Sequence, residues 1–98
     1  MNKERTPSQL LEDVCKVFEV TTQQIKDKNK SQEIARTRNY YSYFCKFHYG
    51  FHSVIIPHLI NRDRTSINNQ TRRVTKLIKE KDYDTLFNIG KIKKGLGL

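Results

Sequence analysis

With 98 residues, the chain has enough material for one small core and none for a catalytic domain with a separate cofactor domain. Charged residues make up 30% and apolar residues 36%, and 19 Lys and Arg against 10 Asp and Glu give a net charge of +9, which points to a polyanionic partner. No run of 18 apolar residues occurs and no apolar stretch follows the polar start, so neither a membrane span nor a signal peptide is expected.

The charge is unevenly placed. It is −1 over residues 1–20, +4 over 21–50, +5 over 51–81 and +1 over the rest, so the basic region lies inside the folding part of the chain.

Thr6-Pro7-Ser8-Gln9 has the pattern of a capping box with proline at the first helical position. Leu10, Leu11, Val14, Cys15, Val17 and Phe18 then recur at helical spacing, to about Glu19. Thr21 and Gln24 repeat the box and open a short helical turn carrying Ile25. Residues 26–30, with three lysines and no apolar residue, read as an exposed basic loop. Ser31 stands where a cap is needed for a long helix to about Tyr49, ended by Gly50. Its predicted inner stripe is Ile34, Tyr41, Phe44, Cys45 and His48, widened by Tyr40 and Phe47, with Arg36, Asn39, Tyr43 and Lys46 opposite.

Val54, Ile55, Ile56, Leu59 and Ile60 are interrupted by Pro57, so a helix there is very short or starts near the proline. Asn61-Arg62-Asp63 is a tight polar turn, and Asp63 caps a helix over about 64–80. The inner stripe of that helix is Ile67, Thr71, Val74, Leu77 and Ile78. Asp82 caps a final short helix with Tyr83, Leu86, Phe87 and Ile89, and residues 90–98 read as a flexible basic tail. The prediction is an all-α, five- to six-helix bundle over residues 1–89 containing a helix-turn-helix.

Several chemistries are not expected. Cys15 and Cys45 fall on apolar stripes and read as reduced, buried thiols of a cytoplasmic protein. His48 and His52 are separated by Gly50 and have no further ligand near, so no metal or other cofactor is expected. Nothing places a nucleophile beside a histidine, so no enzyme is expected, and the absence of GxxxxGK[ST] argues against a bound nucleotide. The aromatic residues at 40, 41, 43, 44, 47, 49 and 51 read as core rather than as a stacking platform for single strands.

Thr65, Asn69, Arg72 and Lys76, spaced 4, 3 and 4 apart, share the helix face opposite Ile67, Val74 and Ile78. A short apolar helix and a tight turn precede them. In a helix-turn-helix the second helix enters the major groove, its N-terminal residues reach base edges, and cations downstream meet phosphates.

Arg62-Asp63-Arg64-Thr65-Ser66-Ile67, following Ile34-Ala35-Arg36-Thr37-Arg38-Asn39, resembles the C-terminal DNA-binding domain of the bacterial replication initiator DnaA. That family carries Gly-Gly-Arg-Asp-His-Thr-Thr-Val at its recognition helix and Ala-Arg-Pro-Arg-Gln at its long helix. The resemblance covers residues 8–82 and implies a Trp-repressor-like helix-turn-helix standing alone, without the family's ATPase module. It implies base contacts by Asp63, Arg64, Thr65 and Ser66, joined by Asn69 from the helical face. It implies a minor-groove loop at Lys28 and Lys30, and phosphate contacts by Arg38, Asn39 and Lys46. Arg36, Arg62, Arg72 and Lys76 complete the expected phosphate set.

Departures from the family accompany these residues. Arg64 replaces the signature histidine, and an arginine prefers guanine O6 and N7, so the site read need not be the family's own. Ser66 stands for the second threonine, Asn61 for Gly-Gly, Thr37 for the proline and Lys30 for the loop arginine. Arg38 lies nearer the apolar stripe than Arg36, so a buried ion pair rivals phosphate binding as its role. The expected function is sequence-specific binding of double-stranded DNA in replication or transcription control. The alternative is an interaction module that docks on the initiator or other replication proteins through Glu12, Asp13 and Glu19.

Overall fold

The computed structural model describes residues 5–27, 31–51 and 55–98. Among the described residues there are six α-helices: α1 (Pro7–Phe18), α2 (Thr22–Lys26), α3 (Gln32–Phe44), α4 (Ile56–Ile60), α5 (Arg64–Lys79) and α6 (Tyr83–Leu96). They form an all-α bundle with no strand among the described residues. None of these helices is long and apolar enough to cross a membrane.

Local chemistry sets most of the boundaries. Thr6 Oγ1 accepts from the Gln9 amide at 3.1 Å while Gln9 Oε1 accepts from the Thr6 amide at 3.0 Å. Thr21 and Gln24 repeat this exchange at 3.0 and 2.8 Å. Two of the orphan amides at each helix start are thereby satisfied. At α3 the expected cap is absent: Ser31 occupies the position but makes no side-chain capping bond. Pro57 falls at the start of α4, where its missing N–H costs nothing, and α4 is accordingly five residues long.

α3 is the central strut. Ile34, Tyr40, Tyr41, Phe44 and, just past its end, Cys45 are buried among Leu10, Leu11 and Val14 of α1, Ile25 of α2, Ile56 and Ile60 of α4, Val74 of α5 and Ile89 of α6. Each such side chain contributes about 1.5–3 kcal/mol by leaving water. Tyr41 also donates its hydroxyl to the Pro7 carbonyl at 2.8 Å, tying α3 to the start of α1. Burial pushes the Cys15 thiol up to about 11 and the Cys45 thiol up to about 12, so both behave as protonated core residues.

Beyond Phe44 the helix widens into a π turn over Cys45–Tyr49, closed by Gly50 in the left-handed region at φ 62°. A π turn slips the side-chain register by one residue. This corrects the expected inner stripe. His48 is turned to the surface with its ring 4.6 Å from that of Phe44, and Phe47 is 54% exposed against Tyr43.

The second correction concerns the C-terminus. Residues 90–96 are not a flexible tail but the second half of α6, whose Ile92 and Leu96 are 0% and 1% exposed. Ile89, Ile92 and Leu96 recur at helical spacing and seat this half on α1. Gly95 permits the approach, since a Cβ there would lie 2.8 Å from Val17 Cγ2. The Arg5 guanidinium donates to the Leu96 carbonyl at 3.1 Å and closes the end of the helix.

Candidate nucleic-acid interface

α5 is amphipathic in the sense the sequence predicts. Thr71 and Val74 are buried, and Ile67, Gln70, Leu77 and Ile78 are half-buried on the same side. Ser42 of α3 donates to Gln70 Oε1 at 2.7 Å, giving this packed face a polar fixed point. Thr65, Asn69, Arg72 and Lys76 are all exposed on the opposite side. Among the described residues, no carboxylate lies within 4.0 Å of Arg72, Arg73, Lys76 or Lys79. The outward strip therefore runs from hydroxyl and amide groups at its N-terminal end to cations further along, with Glu80 bordering the groove of Arg72, Arg73 and Lys76.

The start of this strip is held by Asp63, whose Oδ1 accepts from the Ser66 amide at 2.8 Å. That bond, aided by the Ser66 hydroxyl, holds the Asp63 carboxyl below its usual range. Ser66 is half-buried and its amide and hydroxyl both serve Asp63, so it sits on the flank of the strip rather than on its crest. Asp63, Arg64 and Thr65 are exposed at the leading end.

Two expected phosphate ligands are placed elsewhere. Arg38 is 6% exposed, and its partner is not a carboxylate. Its Nε and Nη2 donate to the Ile25 carbonyl at 3.1 and 3.0 Å, and Nη2 reaches the Asp27 carbonyl at 3.4 Å. Arg62 converges on the same segment, donating to Asp27 at 2.8 Å and to Lys26 at 3.3 Å, as well as to Asn61 in its own turn at 2.8 Å. Asn61 Nδ2 adds a bond to the Lys26 carbonyl at 3.3 Å. These carbonyls end α2, where acceptors lack helical partners and the dipole is negative. Desolvation, and then the nearby Arg62 charge, lower the Arg38 pKa from its usual value.

Arg38 is thus corrected from phosphate ligand to clasp, and Arg62 spends much of its fork the same way. The clasp fastens the end of α2 to the turn that starts α5. Lys28 and Lys30 themselves lie outside the described residues.

The remaining expected cations flank α5. Lys46 borders a groove with Ile67, Asn68 and Thr71, while Arg36 and Asn39 border another with Arg73 and Leu77. α3 therefore runs antiparallel beside α5, with Lys46 near the leading end and Arg36 about 15 Å further along, at 1.5 Å per residue. Asp82 and Asp84 share the Arg36 groove and lower its positive potential relative to the Lys46 end. Asn68, Arg73 and Lys79 are exposed on α5 and were not among the expected contacts. Their signal was present, since each lies within about one helical position of the Thr65–Lys76 line.

On α1, Asp13 is engaged by the Arg5 Nε at 2.6 Å, leaving Glu12, and Glu19 just past the end of the helix, as exposed acids. Among the described residues no group of three His, Cys, Asp or Glu is placed to hold a metal ion. Comparison with protein-family models, curated proteins and solved structures finds no match to this chain, so the likeness to the initiator's DNA-binding domain rests on the quoted residues alone.

Proposed function

We propose that this chain binds duplex DNA with sequence preference through the outward face of α5. The observation that carries the reading is the exposed line Thr65, Asn69, Arg72 and Lys76 on a helix whose other face is locked to α3. An α-helix with its side chains is about 10–12 Å across and fits the major groove of about 12 Å, and the polar N-terminal turns of α5 would meet base edges before its cations meet phosphates. The turn at Asn61–Asp63, at the leading end of the helix, is clasped to the carbonyls of Lys26 and Asp27 at the end of α2.

Asn69 is suited to a bidentate contact with adenine and Arg64 to guanine. Lys46, Arg36, Arg72, Arg73 and Lys76 are the phosphate set. A role in control of replication or transcription follows from the resemblance and is part of the proposal.

Selection of bound duplexes from a random pool, repeated at two salt concentrations, tests the reading. An enriched motif is expected, with log affinity falling against log salt at a slope near −4.5 for about five neutralised phosphates. A pool that stays random would overturn it. A protein retained by replication proteins after nuclease treatment would favour the interaction module instead.

A further inference from the structure

α6 has two apolar faces. Ile89, Ile92 and Leu96 are buried against the bundle, but Tyr83, Leu86 and Phe87 stand 76%, 44% and 57% exposed on the other side. These account for half of the six large apolar side chains exposed among the described residues, gathered within five positions. Scattered exposed apolar residues are ordinary, whereas a contiguous set on one helix marks an association surface. The Tyr83 and Phe87 rings are nearly parallel, at 17°, with centroids 6.2 Å apart. Lys91 carries the row onward. Its Nζ lies 5.9 Å from the centre of the Phe87 ring and 5.6 Å from that of Phe18, a half-buried ring at the end of α1. Helical spacing from Tyr83 and Phe87 continues through Gly90 to Lys94. A Cβ built at Gly90 meets nothing within 4 Å, so the surface between the Phe87 ring and Lys94 is open.

The charge of this face has one sign. Lys94 lies in its line and Lys91 and Lys93 lie on its two flanks, all exposed. Among the described residues no carboxylate lies within 4.0 Å of any of the three. The acids at the start of the helix are engaged elsewhere: Asp82 accepts from the amide and hydroxyl of Thr85, and Asp84 borders the groove with Arg36 and Arg73. Open aromatic rings beside cations suit a ligand that carries negative charge and also has flat, unpaired faces. We infer that this face of α6 is a stacking platform for single-stranded nucleic acid. Bases lie on the rings of Tyr83 and Phe87, and Lys91, Lys93 and Lys94 hold the backbone. A duplex offers the same phosphates but keeps its base faces inside the stack, so it gains nothing from the rings.

This site goes beyond the duplex reading and is independent of it, since the α6 face is not the α5 face. The test is fluorescence anisotropy with a labelled oligothymidylate and an abasic strand of the same length, about 16 nucleotides. The two strands carry the same phosphates and differ in their bases, so cations alone, on either helix, do not tell them apart. The protein is expected to bind the oligothymidylate about tenfold tighter or more, equivalent to about 1.4 kcal/mol. Tyr83→Leu with Phe87→Leu keeps an apolar surface and helix-forming residues at exposed positions, so the fold is retained, as the circular dichroism melt will show. That variant should bind the two strands equally. Arg72→Ala with Lys76→Ala on α5 should leave the ratio between them unchanged. Equal binding of the two strands by the unaltered protein, a ratio retained in the leucine variant, or a ratio lost in the α5 variant would overturn the proposal. Capture by phosphatidylserine vesicles with no preference between the strands would overturn it in favour of a membrane surface. None of these outcomes bears on whether α5 selects a duplex.

Discussion

α5 and α6 are neighbours joined by a short turn, and both rest one face on the same bundle. Their outward faces are unlike. α5 shows solvent a line of Thr, Asn, Arg and Lys without an apolar member, whereas α6 shows Tyr83, Leu86 and Phe87. Water solvates the first kind of surface well, so the first gains little from another apolar surface and much from a polyanion that releases counterions on binding. The second loses solvation cost only against something apolar. The two helices thereby show solvent two chemically different surfaces, one polar and cationic and one apolar, and mutations can address them separately.

The largest effect belongs to what the two helices share. Phe44→Ala removes a fully buried ring from the strut and should cost about 3–5 kcal/mol in urea unfolding, with DNA binding lost along with the fold. Asn69→Ala leaves the fold and the α6 surface intact. It should cost about 1–3 kcal/mol on the preferred duplex, blur one position of the selected site, and leave a scrambled duplex unaffected. Arg72→Ala with Lys76→Ala should weaken all duplexes alike and reduce the magnitude of the salt slope by about 1.8, at about 0.9 per phosphate.

The smallest effect concerns the helix starts and has a defined pH sense. Asp63 is held below its ordinary range by the Ser66 amide and hydroxyl, and Asp82 by the Thr85 hydroxyl and amide. A carboxylate depressed in the folded chain stabilises it fully above the unfolded value, near pH 4, and this stabilisation is lost as pH falls through the folded value. Thermal melts should therefore show the cap contribution at pH 7, and Asp63→Ala should lower Tm by a few degrees there. The difference should shrink toward pH 2, where the wild-type carboxyl is protonated. A difference independent of pH would contradict the assignment of the cap to the ionised form.

Helix starts were the most legible feature, because Thr6/Gln9, Thr21/Gln24, Asp63 and Asp82 act within three residues of themselves. The α5 face was legible for the same reason, since 3.6-residue periodicity is local. What escaped depends on contacts remote in sequence. The composition of residues 90–98 reads as a tail because Gly and Lys dominate it, while the reason for Gly95 is Val17, on another helix. Arg38 reads as a surface cation until the carbonyls of Ile25 and Asp27 are seen to receive it. The π turn leaves no simple mark in sequence, yet it moved His48 out of the predicted stripe.

The most direct test follows amide shifts of ¹⁵N-labelled protein on titration with the selected duplex. If α5 is the reading helix, the largest shifts gather between Asp63 and Lys76, with Lys46 joining them and the outward face of α6 from Tyr83 to Phe87 unmoved. Shifts concentrated on α6, with Thr65, Asn69 and Arg72 silent, would assign the nucleic-acid surface to the wrong helix.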